Sequence, residues 1–261
     1  ENASTAYIST HPMTSERMSD MQNRTRHMSP VTHRDSMDFF LVKARARVLQ
    51  ETTYDGWLKV SKSFENELKR HPAGYSLVAT QYGLSVAYAK MNQKDKALTA
   101  IRAAKAASKE NSVILDKHLA ELTYQVAKTQ AQKDQALALA KSTCNQYPYS
   151  GLAASNYVEL LFQSGKHQEL VNYLRNQSAL SRSNPDYHMY LARSYEALGK
   201  KSMAFAATGD MYALLDNPRA AVYQFELAQK ANDGDFYIMS EIDAKPVSYT
   251  HLRAHETRSN L

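Results

Sequence analysis

A small or apolar residue recurs along this chain at the period of one helical hairpin, and that recurrence limits the possible folds more than any other feature. Ala97, Ala136, Leu170 and Ala204 are separated by 39, 34 and 34 residues. Ala97 is followed by Ile101 and Ala104, Ala136 by Ala140, Leu170 by Leu174, and Ala221 by Phe225 and Ala228. This is the i, i+4, i+7 spacing of one helix face. Nine residues before these positions stand Tyr88, Ala127, Leu161 and Tyr195, with Tyr212 nine before Ala221. Turn residues fall between the two sets: Asn92, Gly165, Gly199 and Asp216-Asn217-Pro218. Two antiparallel helices of about fourteen residues, with their turns, occupy roughly 34 residues and need a small residue where they cross. The pattern predicts an all-α chain, an α-solenoid of antiparallel helix pairs.

Two departures from the period carry their own expectations. The 39-residue gap predicts a longer helix near 112–131. The 17-residue step from Ala204 to Ala221 predicts that helix 201–215 is second helix of one repeat and first of the next. Helices near 36–51 and 57–71, ending at His71-Pro72, form an incomplete leading repeat. Asp235-Phe236-Tyr237 with Met239 and Ile242 reads as a terminal capping helix, which a solenoid needs to cover its open end. Ahead of all this, Thr14-Ser15-Glu16 supplies a helix cap, Met18 and Met21 recur three apart, and a polar stretch broken at Pro30 reads as a linker.

Composition removes several function classes. Only 8 Gly and 7 Pro argue against an all-β protein. The charge of +6 invites a nucleic-acid reading, but Lys and Arg are interleaved with Asp and Glu, as on solvated helix faces, so no nucleic-acid partner is expected. No run reaches the roughly 20 apolar residues of a membrane span. The single Cys144, set among Ala, Leu and Ser, reads as a buried inert thiol, with no His nearby in sequence to make it a nucleophile. Neither a Gly-rich phosphate loop nor a Gly-x-Ser-x-Gly elbow is present.

The phrases Ala87-Tyr88…Asp95-Lys96-Ala97 and Ala192-Arg193-Ser194-Tyr195…Gly199 resemble the tetratricopeptide repeat, although the repeat's early Trp is missing and Trp57 lies outside the frame. First helices of such repeats line a concave surface, where amphipathic rings suit extended or partly folded peptides. Tyr82, Tyr88, Tyr157, Tyr190 and Tyr195, with Arg193 beside Tyr190, are therefore the candidate partner-binding residues. The plain alternative is that most of these rings pack between helices.

Ser9-Thr10-His11-Pro12-Met13-Thr14-Ser15-Glu16-Arg17-Met18-Ser19-Asp20-Met21-Gln22-Asn23-Arg24 resembles the closing segment of a zinc metalloprotease domain, where that domain hands over to a repeat tail. The family is the periplasmic gluzincins with tetratricopeptide repeats. A second, weaker likeness lies at 208–243. The resemblance implies residues 1–28 as the end of a truncated protease domain with its last short helix, 29–35 as linker, and 36–245 as the repeat domain. It also implies a periplasmic setting and a zinc endopeptidase parent that cleaves stalled or misassembled outer-membrane proteins. The repeats would dock on the barrel assembly machinery and hold the substrate.

Zinc would lie upstream of Glu1, since the two His one turn apart and the intervening Glu that such chemistry needs do not occur in the chain. By the same resemblance His11 is a candidate plug ligand, a neutral imidazole filling the open position on the parent's zinc. The plain reading is that His11 packs beside the following helix, with Pro12 fixing the turn. The stretch 246–261, with Val247-Ser248-Tyr249-Thr250-His251-Leu252, looks like a translated sequencing adapter and is set aside. A stand-alone tetratricopeptide adaptor without catalysis is the alternative function.

Overall fold

The structure, a computed structural model, describes residues 14–26, 35–177 and 183–245, and no strand occurs among the described residues. His11, residues 27–34, which include most of the expected 29–35 linker, and the stretch 246–261 lie outside them. The chain divides into two compact units, one ending at Ser36 and one beginning at Met37. The first holds α1 (Thr14–Thr25), whose Met18 and Met21 are mostly exposed and whose surface carries an Arg24–Asp20 ion pair at i, i+4.

The second unit is a succession of antiparallel helices. A leading pair, α2 (Met37–Leu49) and α3 (Tyr54–Leu68), precedes α4 (Gly74–Lys90) and α5 (Lys94–Ala107). Then follow α6 (Val113–Val126) with α7 (Gln130–Gln146), and α8 (Gly151–Gln163) with α9 (His167–Asn176). Next come α10 (Pro185–Ala197), α11 (Lys201–Leu214) and α12 (Pro218–Ala231), and the helical residues 236–245 form α13. Each hairpin packs internally and each second helix packs on the next first helix, as the tetratricopeptide-like solenoid requires.

The nine-residue spacing has a backbone cause. Tyr88, Leu161, Tyr195 and Tyr212 are each third from last in their helix, and their carbonyls accept from the N–H of Gln93, Lys166, Lys200 and Asn217 at 2.9–3.0 Å. Between donor and acceptor sits one left-handed residue: Asn92, Gly165, Gly199 or Asp216, with φ of 59°, 66°, 74° and 55°. This is the Schellman closure, which satisfies the last carbonyls of one helix. It delivers Ala97, Leu170, Ala204 and Ala221 as the fourth residue of the following helix each time. Ala97, Leu170 and Ala221 are fully buried there.

The α6–α7 connection is different, and it corrects the sequence reading. No helix runs through 112–131: α6 stops at Val126, and Ala127 is extended. Thr129 starts α7 with a capping box, its hydroxyl accepting from Gln132 N–H while the Gln132 side chain accepts from Thr129 N–H. Most of the extra residues form an added first turn of α7, so Ala136 is the seventh helical residue rather than the fourth. The residue matching Tyr88 and Tyr195 is therefore the buried Tyr124, third from last in α6, and not Ala127.

The half-repeat step is present as expected. α11 packs against both α10 and α12, and the same turn closes each hairpin. Gly209 of α11 lets the Phe225 ring lie on the helix backbone, since a Cβ there would stand 2.4 Å from a ring carbon. Gly83 of α4 does the same for Phe64 at the other end of the solenoid. Cys144 is buried and accepts a hydrogen bond from the Tyr173 hydroxyl at 3.4 Å, and burial pushes its thiol pKa up, so it is a poor nucleophile.

Candidate protein-binding groove

Three helices in a row, α10 to α12, leave an apolar groove of about 710 Å³ along one face of α11. The half-repeat step builds it by placing α11 between two antiparallel neighbours. Each wall starts from a defined cap: Asn184 accepts from Asp186 N–H at 2.9 Å ahead of Pro185, and Asn217 from Ala220 N–H at 3.2 Å ahead of Pro218. α11 lacks a side-chain cap from its own N-cap residue, Lys200. Asp233, from the loop after α12, replaces it by accepting from Lys201 and Ser202 N–H at 2.7 and 2.8 Å, and Ser202 Oγ accepts from Asp233 N–H in return. A hydrogen bond from the Ser202 side chain, which outweighs the opposing effect of burial, together with those from the Ser202 and Lys201 N–H groups, holds the Asp233 carboxyl below the usual carboxylate range. These bonds also fix the end of α12 beside the start of α11.

The lining follows helix periodicity. α10 contributes Met189, Ala192, Arg193 and Glu196; α11 contributes Ala204, Phe205, Thr208 and Met211; α12 contributes Gln224, Leu227 and Lys230. The opposite face of α11 (Met203, Ala206, Asp210) is turned to α13, where Ile242 is buried and Lys245 pairs with Asp210 at 2.6 Å. Among the described residues no set of three or more His, Cys, Asp or Glu is arranged to hold a metal ion. The described residues therefore do not fit zinc.

The structure distributes the candidate partner-binding residues unevenly. Tyr82, Tyr157 and Tyr195 are core residues, 1%, 2% and 5% exposed, which leaves no ring face for a partner. Tyr82 accepts from Arg45 at 3.3 Å and meets the His118 ring edge-on. Tyr157 donates to Glu169 at 2.7 Å and stacks edge-to-face with Tyr173. Tyr88 is half-buried, donates to Glu65 at 2.7 Å and lies under the Lys96 ammonium; burial and then the Glu65 hydrogen bond push its pKa up to about 12. Tyr190 is half-buried against Phe162 of the preceding hairpin. Of the six, Arg193 alone reaches the groove, exposed on its rim. Sequence reasoning missed Met189, Phe205, Met211 and Leu227. The signal that could have found them was the 17-residue step, because a helix shared by two hairpins must present a face to both neighbours.

Three proteins named beta-barrel assembly-enhancing protease, from Escherichia coli K12, Shigella flexneri and Escherichia coli O157:H7, are each 24% identical to this chain over 213 residues. The match covers 78% of this chain and 40% of each relative, so the chain spans about two fifths of the length of these curated relatives. No family model matches the chain. Among solved structures, MamA (AMB-1) aligns with a TM-score of 0.48 at 17% identity, covering 69% of this chain and 92% of that one. A tetratricopeptide repeat protein from Parabacteroides merdae aligns at 0.46 with 12% identity, covering 87% and 88%.

Proposed function

We infer that this chain is the protein-binding repeat region of a zinc metalloendopeptidase that acts in outer-membrane protein quality control in the periplasm. The observation that carries the reading is the 213-residue similarity to the beta-barrel assembly-enhancing proteases, added to a solenoid that offers an open groove. Catalysis belongs to a partner domain with its own zinc ligands, and this chain contributes binding. Unfolded or misassembled outer-membrane proteins are its cargo, and the barrel assembly machinery its docking partner. Residues 1–28 belong to the end of the protease domain, 29–35 link it to the repeats, and His11 acts as the plug over the parent's zinc. Among the described residues no helix is long and apolar enough to cross a membrane.

The test is direct binding of the purified chain to a urea-unfolded outer-membrane barrel protein, diluted into detergent-free buffer. Saturable binding to it, absent for the same barrel folded in detergent, is expected. Equal binding to any unfolded soluble protein would remove the outer-membrane assignment. For His11, the parent enzyme carrying His11→Ala should cleave faster than wild type without added partner, and unchanged activity in a folded variant would end the plug idea.

A further inference from the structure

The charges of the groove are gathered at one end. Only three residues separate the end of α10 from the start of α11, and Asp233 fastens the end of α12 to the first N–H groups of α11. Arg193 and Glu196 near the end of α10, Lys201 at the start of α11 and Lys230 at the end of α12 thus share that end. Arg193, Lys201 and Lys230 are exposed, and none of the three side chains is in an ion pair among the described residues. Some surface cations elsewhere find partners, as in Lys166–Asp134 at 2.7 Å and Arg47–Glu67 at 2.8 Å, whereas here three without one converge on a single groove end. Glu196 is the single carboxylate of the lining, and Asp233 is already engaged by backbone N–H groups. Away from that end the large lining side chains are mostly apolar, Met189, Phe205, Met211 and Leu227, with Thr208 and Gln224 as the polar ones, and methionine suits occupants of varied shape.

We propose that this groove binds a peptide segment that is apolar along most of its length and acidic at one end, its apolar side chains against Met189, Phe205, Met211 and Leu227 and its carboxylates on Arg193, Lys201 and Lys230. The assignment rests on the protein-binding reading and names the partner chemistry of one site. Three unpaired cations against one carboxylate select a peptide bearing more than one acid, because a neutral apolar segment would leave them unanswered. The apolar floor argues for a peptide over a nucleic acid, whose phosphates would gain nothing from Met and Leu. The volume falls in the range of about 300–1,000 Å³ usual for ligand sites.

The experiment uses the whole chain and a fluorescein-labelled synthetic peptide, a run of Leu and Met ending in Asp residues, read by anisotropy. A twin peptide has Asn for every Asp. The expected result is about tenfold weaker binding of the Asn twin, and a similar loss for the Arg193→Glu/Lys230→Glu variant, about 1.4 kcal/mol per tenfold. Both positions are exposed, so an unchanged circular dichroism melt verifies the fold. Equal affinity for the two peptides, or an unaffected variant, overturns the proposal. So does a single-stranded oligonucleotide that binds more tightly than the acidic peptide and displaces it. If the variant still holds the unfolded barrel protein as wild type does, the groove assignment fails while the wider reading stands. If wild type binds no unfolded barrel protein, the wider reading fails first.

Discussion

The two ends of the solenoid use the same hairpin on very different cores. At the N-terminal end Leu41, Val48, Phe64, Val78, Tyr82, Ile101 and Leu115 come from five helices and are all essentially inaccessible. At the C-terminal end, among the described residues, the last cluster is Ala206, Ala228 and Ile242 with Phe205, Ile238 and Met239 half-covered; Ala221 and Phe225 are buried nearby, while Phe236 and Tyr237 are 79% and 83% exposed. In a solenoid each repeat is held by its own packing and its neighbours', so the thin end opens first. It is also the end that bears the groove. A site built from Met and Phe side chains over a lightly packed core can adjust to its occupant, and the N-terminal end holds the array in register meanwhile.

The sharpest way to break that contrast is to remove a buried ring at each end. Phe64→Ala and Phe225→Ala each empty a fully buried position, at a cost of about 3–5 kcal/mol. Native-state hydrogen exchange should show the Phe225→Ala loss confined to α11–α13, whereas Phe64→Ala should accelerate exchange across α2–α6. Equal spreading from both sites would mean that the solenoid unfolds as one unit, and the two-ended description would have to go.

A smaller effect separates the ends by their capacity to yield. An added methyl at Gly83 would stand 2.4 Å from Phe64 Cζ, and one at Gly209 would stand 2.4 Å from Phe225 Cε1. Overpacking of this kind costs about 1–3 kcal/mol where neighbours cannot move. Gly83→Ala should lie at the top of that range and Gly209→Ala below it, compared by urea unfolding. The reverse order would show the thin end to be the stiffer one.

Smaller again is an acid effect at α6, which feeds both main cores. Leu115 and Leu122 face the N-terminal core, and Ala120 and Tyr124 face the next. His118 lies on this helix, with Nε2 3.1 Å from the buried Ser85 hydroxyl and Nδ1 3.7 Å from Glu121. Burial pushes the Glu121 pKa up, but the His118 hydrogen bond and the adjacent Lys117 outweigh it and hold the group below the ordinary glutamate range. A carboxyl whose pKa is lower folded than unfolded adds stability above its unfolded pKa, and loses it as pH falls toward the folded value. Wild type should therefore lose stability below about pH 4.3, the ordinary glutamate value, more steeply than Glu121→Gln. Parallel urea-midpoint curves for the two would place the acid sensitivity elsewhere.

The repeat was legible because its cause is local. A left-handed residue and a 6→1 hydrogen bond fix nine residues between Tyr88 and Ala97, so a count along the chain recovers the turn. Where a capping box replaces that closure, at Thr129, the count slips and lands on Ala127 instead of Tyr124. The candidate site was less legible. Tyr82, Tyr157 and Tyr195 read as amphipathic rings available to a partner, yet each hydroxyl or ring finds its company inside the solenoid, with Arg45 and Glu169 reaching the first two from other helices. Such meetings depend on side chains far apart in sequence, which helix periodicity does not encode. Arg193 was recoverable because exposure on a helix face follows from that periodicity alone.

The finest comparison is between the turns themselves. Gly165 and Gly199 occupy the left-handed position without cost, whereas Asn92 at the thick end and Asp216 at the thin end carry a Cβ there. Asparagine tolerates that region better than most residues because its amide bonds locally, and aspartate shares the tolerance in part. Both Asn92→Gly and Asp216→Gly should stabilise, by at most about 1 kcal/mol. Asp216→Gly should gain more, and its gain should appear as slower exchange in α11 and α12 alone. A gain at Asn92 with none at Asp216 would mean that Asn217 and Pro218, which already fix the start of α12, set that turn whatever residue precedes them.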